Sequence, residues 1–335
     1  MDVNALNTVA KKMVAPGKGI LAADESFASV EKKFAKYGIP STEDTRREYR
    51  QLFFTAPGIG DSISGVILFD ETIKQSSSGG MPFVKILEEA GVMPGIKVDE
   101  GLKDMDASPL EKVTKGLDTL PARLSTYVSL GATFAKWRAV ITIGEGLPTD
   151  MNIRENARIL AGYAMACQEA GLVPMVEPEV LMDGTHTIEA CQDASERTLA
   201  AVFEEITKAG VAIEGMILKT NMIVPGKEKG KAAPSVVAEK TVAEFKKLLP
   251  AHLPGQAFLS GGQSEIEATE NLQAINALGP HPWNLSFSYG RALQDSALKT
   301  WNGKTENVPA AQAVFLKRAH MNSLATLGKY TGENS

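Results

Sequence analysis

Charged residues stand at the ends of five short apolar runs. Asp24 and Glu25 follow Ile20-Leu21-Ala22-Ala23. Lys97 and Asp99 lie in Gly-Ile-Lys-Val-Asp. Lys136 and Arg138 lie in Phe-Ala-Lys-Trp-Arg. Glu177 and Glu179 follow Pro174-Met175-Val176, and Lys219 and Asn221 follow Met216-Ile217-Leu218. Such groups are rarely buried without a partner. Four of the pairs are spaced by two, which puts both members on one face of a strand. One pair alone reads as ordinary ion pairing at a strand end. Five together imply a desolvation cost that packing does not require, and clusters of this kind shift pKa values and point to chemistry.

The lysines give that chemistry a direction. If Lys97, Lys136 and Lys219 face one cavity, repulsion and partial burial disfavour the ammonium form. At least one could then be a neutral amine that attacks a carbonyl to form a Schiff base, an electron sink for bond cleavage beside a ketone. Lys219 has the most apolar approach and no arginine two residues away. Lys136 remains the other candidate on these grounds. Neighbouring carboxylates could shuttle protons, worth about 10²–10⁴-fold in rate.

Two later segments read as anion grips. Leu259-Ser260-Gly261-Gly262-Gln263 precedes a helix that Ser264 would cap, and Ser286-Phe287-Ser288-Tyr289-Gly290-Arg291 ends an apolar run. Glycines let backbone N–H groups approach an anion, a helix N-terminus adds a favourable dipole, and an arginine adds a bidentate contact.

The elements that would position these residues follow from hydrophobic patterning. Strands are expected at 19–23, 65–69, 95–98, 134–143, 172–176, 215–218, 257–260 and 283–287, with helical segments between them. Runs such as Gly65-Val66-Ile67-Leu68-Phe69 fit strands covered on both faces, as in a parallel sheet. Asn152 with Glu155, and Ser264 with Glu267, read as capping boxes, and Gly171 closes the first of these helices. Eight strand–helix units favour a (β/α)8 TIM barrel over a doubly wound open sheet. No linker or repeat divides the chain, so residues 1–335 are expected to be a single barrel domain. An N-terminal helical segment (about 1–16) and a C-terminal helix (about 310–328) flank it. In this fold the active site lies at the C-terminal strand ends, and phosphate sits at the loops after strands seven and eight.

Composition narrows the function classes. The 335 residues carry 35 Lys+Arg against 40 Asp+Glu, a formal charge of −5, which argues against nucleic acid as a partner. No apolar run approaches the roughly 20 residues of a membrane span. The start, Met1-Asp2-Val3-Asn4, has no signal-peptide character, so a cytoplasmic location and small-molecule partners are expected. The two cysteines, Cys167 and Cys191, read as core thiols on helices. His186, His252, His281 and His320 are dispersed, without a metal-ligand pattern. The G-x-G-x-x-A match at 17–22 lacks a preceding strand, and 226–231 departs from a P-loop, so neither supports nucleotide binding.

Gly-Ile-Leu-Ala-Ala-Asp-Glu-Ser (19–26), Gly-Val-Ile-Leu-Phe (65–69), Gly-Ile-Lys-Val-Asp (95–99), Phe-Ala-Lys-Trp-Arg (134–138), Val-Glu-Pro-Glu (176–179), Leu-Lys-Thr-Asn-Met (218–222), Leu-Ser-Gly-Gly-Gln-Ser (259–264) and Ser-Tyr-Gly-Arg-Ala-Leu (288–293) occur in one order along nearly the whole chain. In that order they resemble class I fructose-1,6-bisphosphate aldolases. The resemblance implies a metal-free and cofactor-free homotetramer of glycolysis and gluconeogenesis. It implies reversible cleavage of fructose 1,6-bisphosphate to dihydroxyacetone phosphate and glyceraldehyde 3-phosphate. By motif, Lys219 becomes the Schiff-base lysine and Glu177 the acid/base of carbinolamine chemistry, supported by Glu179. Asp24 becomes the base for cleavage, beside Lys136. Ser260, Gly261, Gly262 and Arg291 resemble the grip on the C1 phosphate. Lys97, Arg138 and Ser26 would serve the rest of the sugar phosphate, with Ser29 and Lys33 as further candidates for the second phosphate.

Thr220 stands where many relatives have proline, and Phe27-Ala28 and Lys33 differ from the common animal pattern. Tyr330 is not given the role of the relatives' tail tyrosine. The same carboxylates would also suit a metal-dependent barrel lyase or hydrolase, and the same phosphate grip a catalytically silent sugar-phosphate-binding scaffold.

Overall fold

In the computed structural model, which describes residues 1–333, every one of the eight expected strands is present. The chain runs α1 (Val3–Met13), β1 (Gly19–Ala23), α2 (Phe27–Ala35), α3 (Glu43–Phe54), β2 (Ile63–Leu68), α4 (Asp70–Ile73), α5 (Phe83–Glu89) and β3 (Met93–Lys97). A hairpin follows, β4 (Leu102–Met105) and β5 (Ser108–Thr114), then α6 (Leu120–Ser129), β6 (Phe134–Ile141), α7 (Asp150–Glu169), β7 (Val173–Val180) and α8 (Ile188–Ala209). The remainder is β8 (Ile217–Thr220), α9 (Pro234–Leu248), β9 (Gly255–Phe258), α10 (Glu265–Ala277), β10 (Asn284–Tyr289), α11 (Arg291–Trp301) and α12 (Val308–Thr326). Parallel pairing runs β1-β2-β3-β6-β7-β8-β9-β10 and closes back on β1. This is the (β/α)8 barrel, with chain order equal to order around the barrel.

Strand parity explains both the core and the site. Ile20, Ala22, Ile67, Phe134, Val173, Met175, Ile217 and Ala257 form one apolar cluster inside the barrel. Leu6, Ala10 and Met13 of α1 join it and cover one end. Continuing two residues at a time along the same inward face leads to Asp24, Lys136, Glu177 and Lys219. The lower layers are apolar packing, and the upper layer is charge. Phe134 fills so much of the interior that a Cβ on Gly95 would meet its ring at 2.2 Å, which is why the inward position below Lys97 carries no side chain.

Several boundaries differ from the sequence reading. Two strands are expected to stop where charge begins, at 176 and 218, but β7 runs on to Val180 and β8 to Thr220. Inside a closed barrel the polar groups pair with one another, so charge does not end the strand. The α7 cap is Thr149, whose Oγ1 accepts from Asn152 N, and not Asn152. Asn152 is buried, and its amide donates to Lys112 O of the hairpin. The capping box of Ser264 and Glu267 forms as expected. The hairpin β4–β5 is not among the expected elements; its anchor is buried Glu111, which accepts from Thr149 N and Thr149 Oγ1. Cys167 and Cys191 are buried on α7 and α8.

One buried group has no evident structural use. Glu244 of α9 is fully buried, and neither of its carboxylate oxygens has a hydrogen-bond partner among the described residues. Burial, reinforced by Glu196 and opposed by Ser195 and Lys247, pushes its carboxyl up to about 8 from 4.5. A raised folded-state value means that the stability held by the neutral acid is full below about 4.5 and is lost as pH rises towards about 8. Glu244→Leu should therefore stabilise the protein by about 1–3 kcal/mol, the gain growing from pH 5 to pH 8. Urea unfolding of both proteins at the two pH values checks this. A gain that is absent, or the same at both, would contradict it.

Candidate active site

The centre of the site is a chain of alternating charges at the C-terminal ends of β1, β6, β7 and β8. Lys136 Nζ lies 2.6 Å from Asp24 Oδ2 and 3.2 Å from Glu177 Oε2. Lys219 Nζ lies 3.0 Å from Glu177 Oε1. The side chains of Lys136 and Lys219 are only 4% and 5% exposed. Glu177 Oε2 is in ion-pair range of Lys136 without hydrogen-bond geometry, which leaves a buried acceptor free to meet a ligand hydroxyl.

Here the structure sharpens the electrostatic expectation. Spacing alone leaves at least one of the three lysines a candidate neutral amine, with Lys219 favoured and Lys136 still open. Carboxylates stand between them. For Lys136, burial alone would favour the neutral amine, but Asp24, Glu177 and Asp99 outweigh it and hold the ammonium well above the usual lysine range. For Asp24, burial raises the carboxyl, and Lys136, Lys219 and Lys97 together pull it well below the usual carboxylate range. Glu177 is likewise held below its ordinary value, burial being outweighed by Lys136, Lys219 and Arg138. Lys136 is thus a fixed cation between two acids.

A second set of pairs rings this centre. Arg138 Nε donates to Glu179 Oε2. Lys97 Nζ lies 2.7 Å from Asp99 Oδ1 and donates to Asp99 O. Asn221 does not share this mouth, contrary to its period-two spacing from Lys219. It lies just past the end of β8, where its Oδ1 accepts from Val180 N and its amide turns towards Cys191 of α8.

Two cavities meet at the charged centre. One, of about 400 Å³, joins Asp24 and Lys219 to Ser260, Gly261, Gly290 and Arg291. Gly261 and Gly262 have φ of +58° and +98°, which turns the backbone after β9 in a way that L side chains resist. A Cβ on Gly262 would stand 3.8 Å from the Arg291 guanidinium, so the β9 loop and the start of α11 face each other, as the sequence suggests. Ser288, which lies in the segment read as an anion grip but is not singled out there, also lines this cavity, and its buried Oγ has no partner among the described residues. Its parity with Ser286 on β10 is the signal the sequence offers for it. The other cavity, of about 330 Å³, joins Ser26, Ser29, Lys97 and Arg138 to Lys136 and Glu177.

Lys33 reaches the first cavity but is already engaged, with Nζ 2.5 Å from Glu25 Oε1 and 2.8 Å from Gln294 Oε1. Lys32 and Lys36, on the same helical segment, also line that cavity and are not among the expected residues. Tyr330 lies elsewhere; its hydroxyl donates to Glu333 and its N–H to Gln273. The 17–22 glycine motif is the start of β1 itself. Among the described residues, no helix is long and apolar enough to cross a membrane.

A family profile described as fructose-bisphosphate aldolase class-I matches residues 5–335. Cytosolic fructose-bisphosphate aldolase 5 of Arabidopsis thaliana is 53% identical over 324 residues, which span 96% of this chain and 90% of that protein. The probable fructose-bisphosphate aldolase class 1 of Xanthomonas campestris pv. campestris is 51% identical over 334 residues, 99% of this chain and 100% of that one. Among solved structures, fructose-bisphosphate aldolase from Plasmodium falciparum, crystallised with TRAP and a small molecule inhibitor, matches with a TM-score of 0.97 at 50% identity. That match covers 98% of this chain and 96% of the other.

Proposed function

The chain belongs to the class-I fructose-bisphosphate aldolase family and is a lyase, and from that membership we propose that it cleaves fructose 1,6-bisphosphate through a Schiff base on Lys219. The observation that carries this reading is the pair of contacts that share one buried carboxylate, Lys219–Glu177 at 3.0 Å and Lys136–Glu177 at 3.2 Å, with Asp24 on the far side of Lys136.

In this reading the neutral Lys219 amine attacks the C2 carbonyl of the ketose. A proton passed beforehand from Lys219 to Glu177 goes to the C2 oxyanion; Glu177 then takes a second proton from the nitrogen and returns it to the C2 hydroxyl, so that water leaves and the iminium forms. Asp24 accepts the C4 hydroxyl proton. The C3–C4 bond breaks, its electrons pass into the iminium to give an enamine, and glyceraldehyde 3-phosphate departs. Protonation of the enamine and hydrolysis of the resulting iminium return dihydroxyacetone phosphate and the free amine. Asp24 is held at low basicity, so Lys136 contributes separately. Its fixed positive charge stabilises the negative charge that develops on the C4 oxygen as its proton leaves to Asp24. Ser260, Gly261, Gly262 and Arg291 hold the C1 phosphate, with Ser288 as an added donor. Ser26, Ser29 and Lys97 take the distal phosphate, while Lys33 acts within the protein. Arg138 and Glu179 brace Glu177 and Lys136 from the side.

The family also supports a cytosolic site of action, a homotetramer and chemistry without a metal or cofactor. The direct test is incubation with fructose 1,6-bisphosphate, with products resolved by mass. Equal amounts of the two triose phosphates, unchanged by a chelator, are expected. No cleavage, or cleavage lost to the chelator and restored by a divalent cation, would overturn the reading.

A further inference from the structure

The turn that presents Asp24 is held by a residue from the opposite end of the chain. Pairing between β1 and β10 ends at Leu21↔Tyr289, whereas pairing with β2 continues to Ala23↔Leu68. The Ala22 carbonyl therefore lies beyond the β10 ladder. Gln294 of α11 supplies the missing donor, its Nε2 lying 2.9 Å from Ala22 O. Its Oε1 accepts from Lys33 Nζ at 2.8 Å and from the Tyr49 hydroxyl at 3.2 Å. Lys33 also binds Glu25 Oε1 at 2.5 Å, and Arg50 binds Glu25 Oε2 at 2.5 Å and Glu25 O at 3.2 Å. Gln294 and Tyr49 are fully buried, and Arg50 is nearly so.

Asp24 thus sits between two tethered neighbours, Ala22 and Glu25, and one side-chain amide touches both tethers. The group at this position must donate to a carbonyl on one side and accept from an ammonium and a hydroxyl on the other. A side-chain amide meets both demands with separate atoms. A carboxylate cannot donate, and an apolar side chain would take the partner from the Ala22 carbonyl and the Tyr49 hydroxyl and leave Lys33 with Glu25 alone.

We propose that Gln294 is a positioning residue for Asp24, fixing the β1–α2 turn so that the carboxylate meets the C4 hydroxyl of the substrate while Lys219 and Glu177 are held independently by β7 and β8. This rests on the Schiff-base reading above. It separates two stages of the reaction: bond cleavage depends on Gln294, and formation of the lysine adduct does not.

The test compares wild type, Gln294→Met and Gln294→Glu. Gln294→Met keeps the length and removes every hydrogen bond. Gln294→Glu keeps the acceptor for Lys33 and Tyr49 and sets a carboxylate, which cannot donate, against Ala22 O. Two rates are read from each protein: steady-state cleavage of fructose 1,6-bisphosphate, and borohydride trapping of dihydroxyacetone phosphate. Misplacement of a reacting group by about 1 Å can cost on the order of 10²-fold. Cleavage is therefore expected to fall by about 10–100-fold in Gln294→Met, and in the same direction in Gln294→Glu, with trapping within about twofold of wild type. Trapping reports on the folded site within the same sample, so a general loss of structure shows as a fall in both rates. Parallel loss of trapping and cleavage in both variants would overturn the inference, as would unchanged cleavage in both. A wild-type protein that forms no adduct would instead overturn the Schiff-base reading.

Discussion

Lys219→Met is expected to abolish the reducible adduct and to cut cleavage by on the order of 10⁵–10⁶-fold, the scale seen when a covalent nucleophile is removed. Methionine matches the length of the stem and buries readily above Ile217 on the inward face of β8. Glu177 keeps Lys136 within 3.2 Å, so its charge is not left unpaired. The variant should fold, which unfolding by heat would confirm. Lys219→Arg sharpens the result. Guanidinium keeps a positive charge for Glu177 but does not lose its proton and so cannot act as an amine nucleophile. If Lys219 served only to offset Glu177, arginine would retain much of the activity. If Lys219 is the nucleophile, arginine should be as inactive as methionine. Cleavage above about 1% of wild type in Lys219→Arg would contradict the assignment, because an amine is then not required there.

Asp24→Asn carries the second large effect, at a later stage. Removal of a general base costs about 10²–10⁴-fold, and that loss is expected in cleavage of fructose 1,6-bisphosphate. Lysine adduct formation from dihydroxyacetone phosphate should persist, because Glu177 and Lys219 remain paired at 3.0 Å. A second consequence is electrostatic. Burial disfavours the Lys136 ammonium and Asp24 is the strongest influence opposing it, so its loss weakens the hold on that ammonium. In the wild type, Asp24 and Glu177 are both depressed, so both stay ionised well into the acid range. The acid limb of kcat/KM should therefore lie below the ordinary carboxylate range, since a depressed group gains its proton only there. Rapid-quench measurement of adduct and product formation separates the two stages. Adduct formation falling in step with cleavage would place Asp24 earlier in the reaction, and cleavage within about threefold of wild type would remove it from proton transfer.

The barrel is legible in the sequence because each strand carries an apolar run. Strand parity then places Asp24, Lys136, Glu177 and Lys219 on one inward face. Less of the site's electrostatics can be read. Spacing shows that three lysines share a mouth but not that Asp24 and Glu177 stand between them, which is what settles Lys136 as the fixed cation. Contacts between distant segments are invisible for a related reason. Gln294 and Ala22 are 272 positions apart, and Gln294 and Lys33 are 261 apart, so no local pattern joins them. Lys33 accordingly reads as a free phosphate ligand when its ammonium is already bound. The hairpin β4–β5 escapes because most of β4 and the first half of β5 are exposed and carry no apolar period. Asn221 shows the limit of parity itself: one residue past the end of β8 the chain turns, and alternation no longer predicts direction.

Borohydride reduction of the wild-type protein with dihydroxyacetone phosphate, followed by digestion and mapping of the modified peptide by mass, tests the Schiff-base assignment most directly. The expected result is one adduct, on Lys219, with Lys136 and Lys97 unmodified. An adduct on either of those lysines, or no adduct in a preparation that cleaves fructose 1,6-bisphosphate, would contradict it.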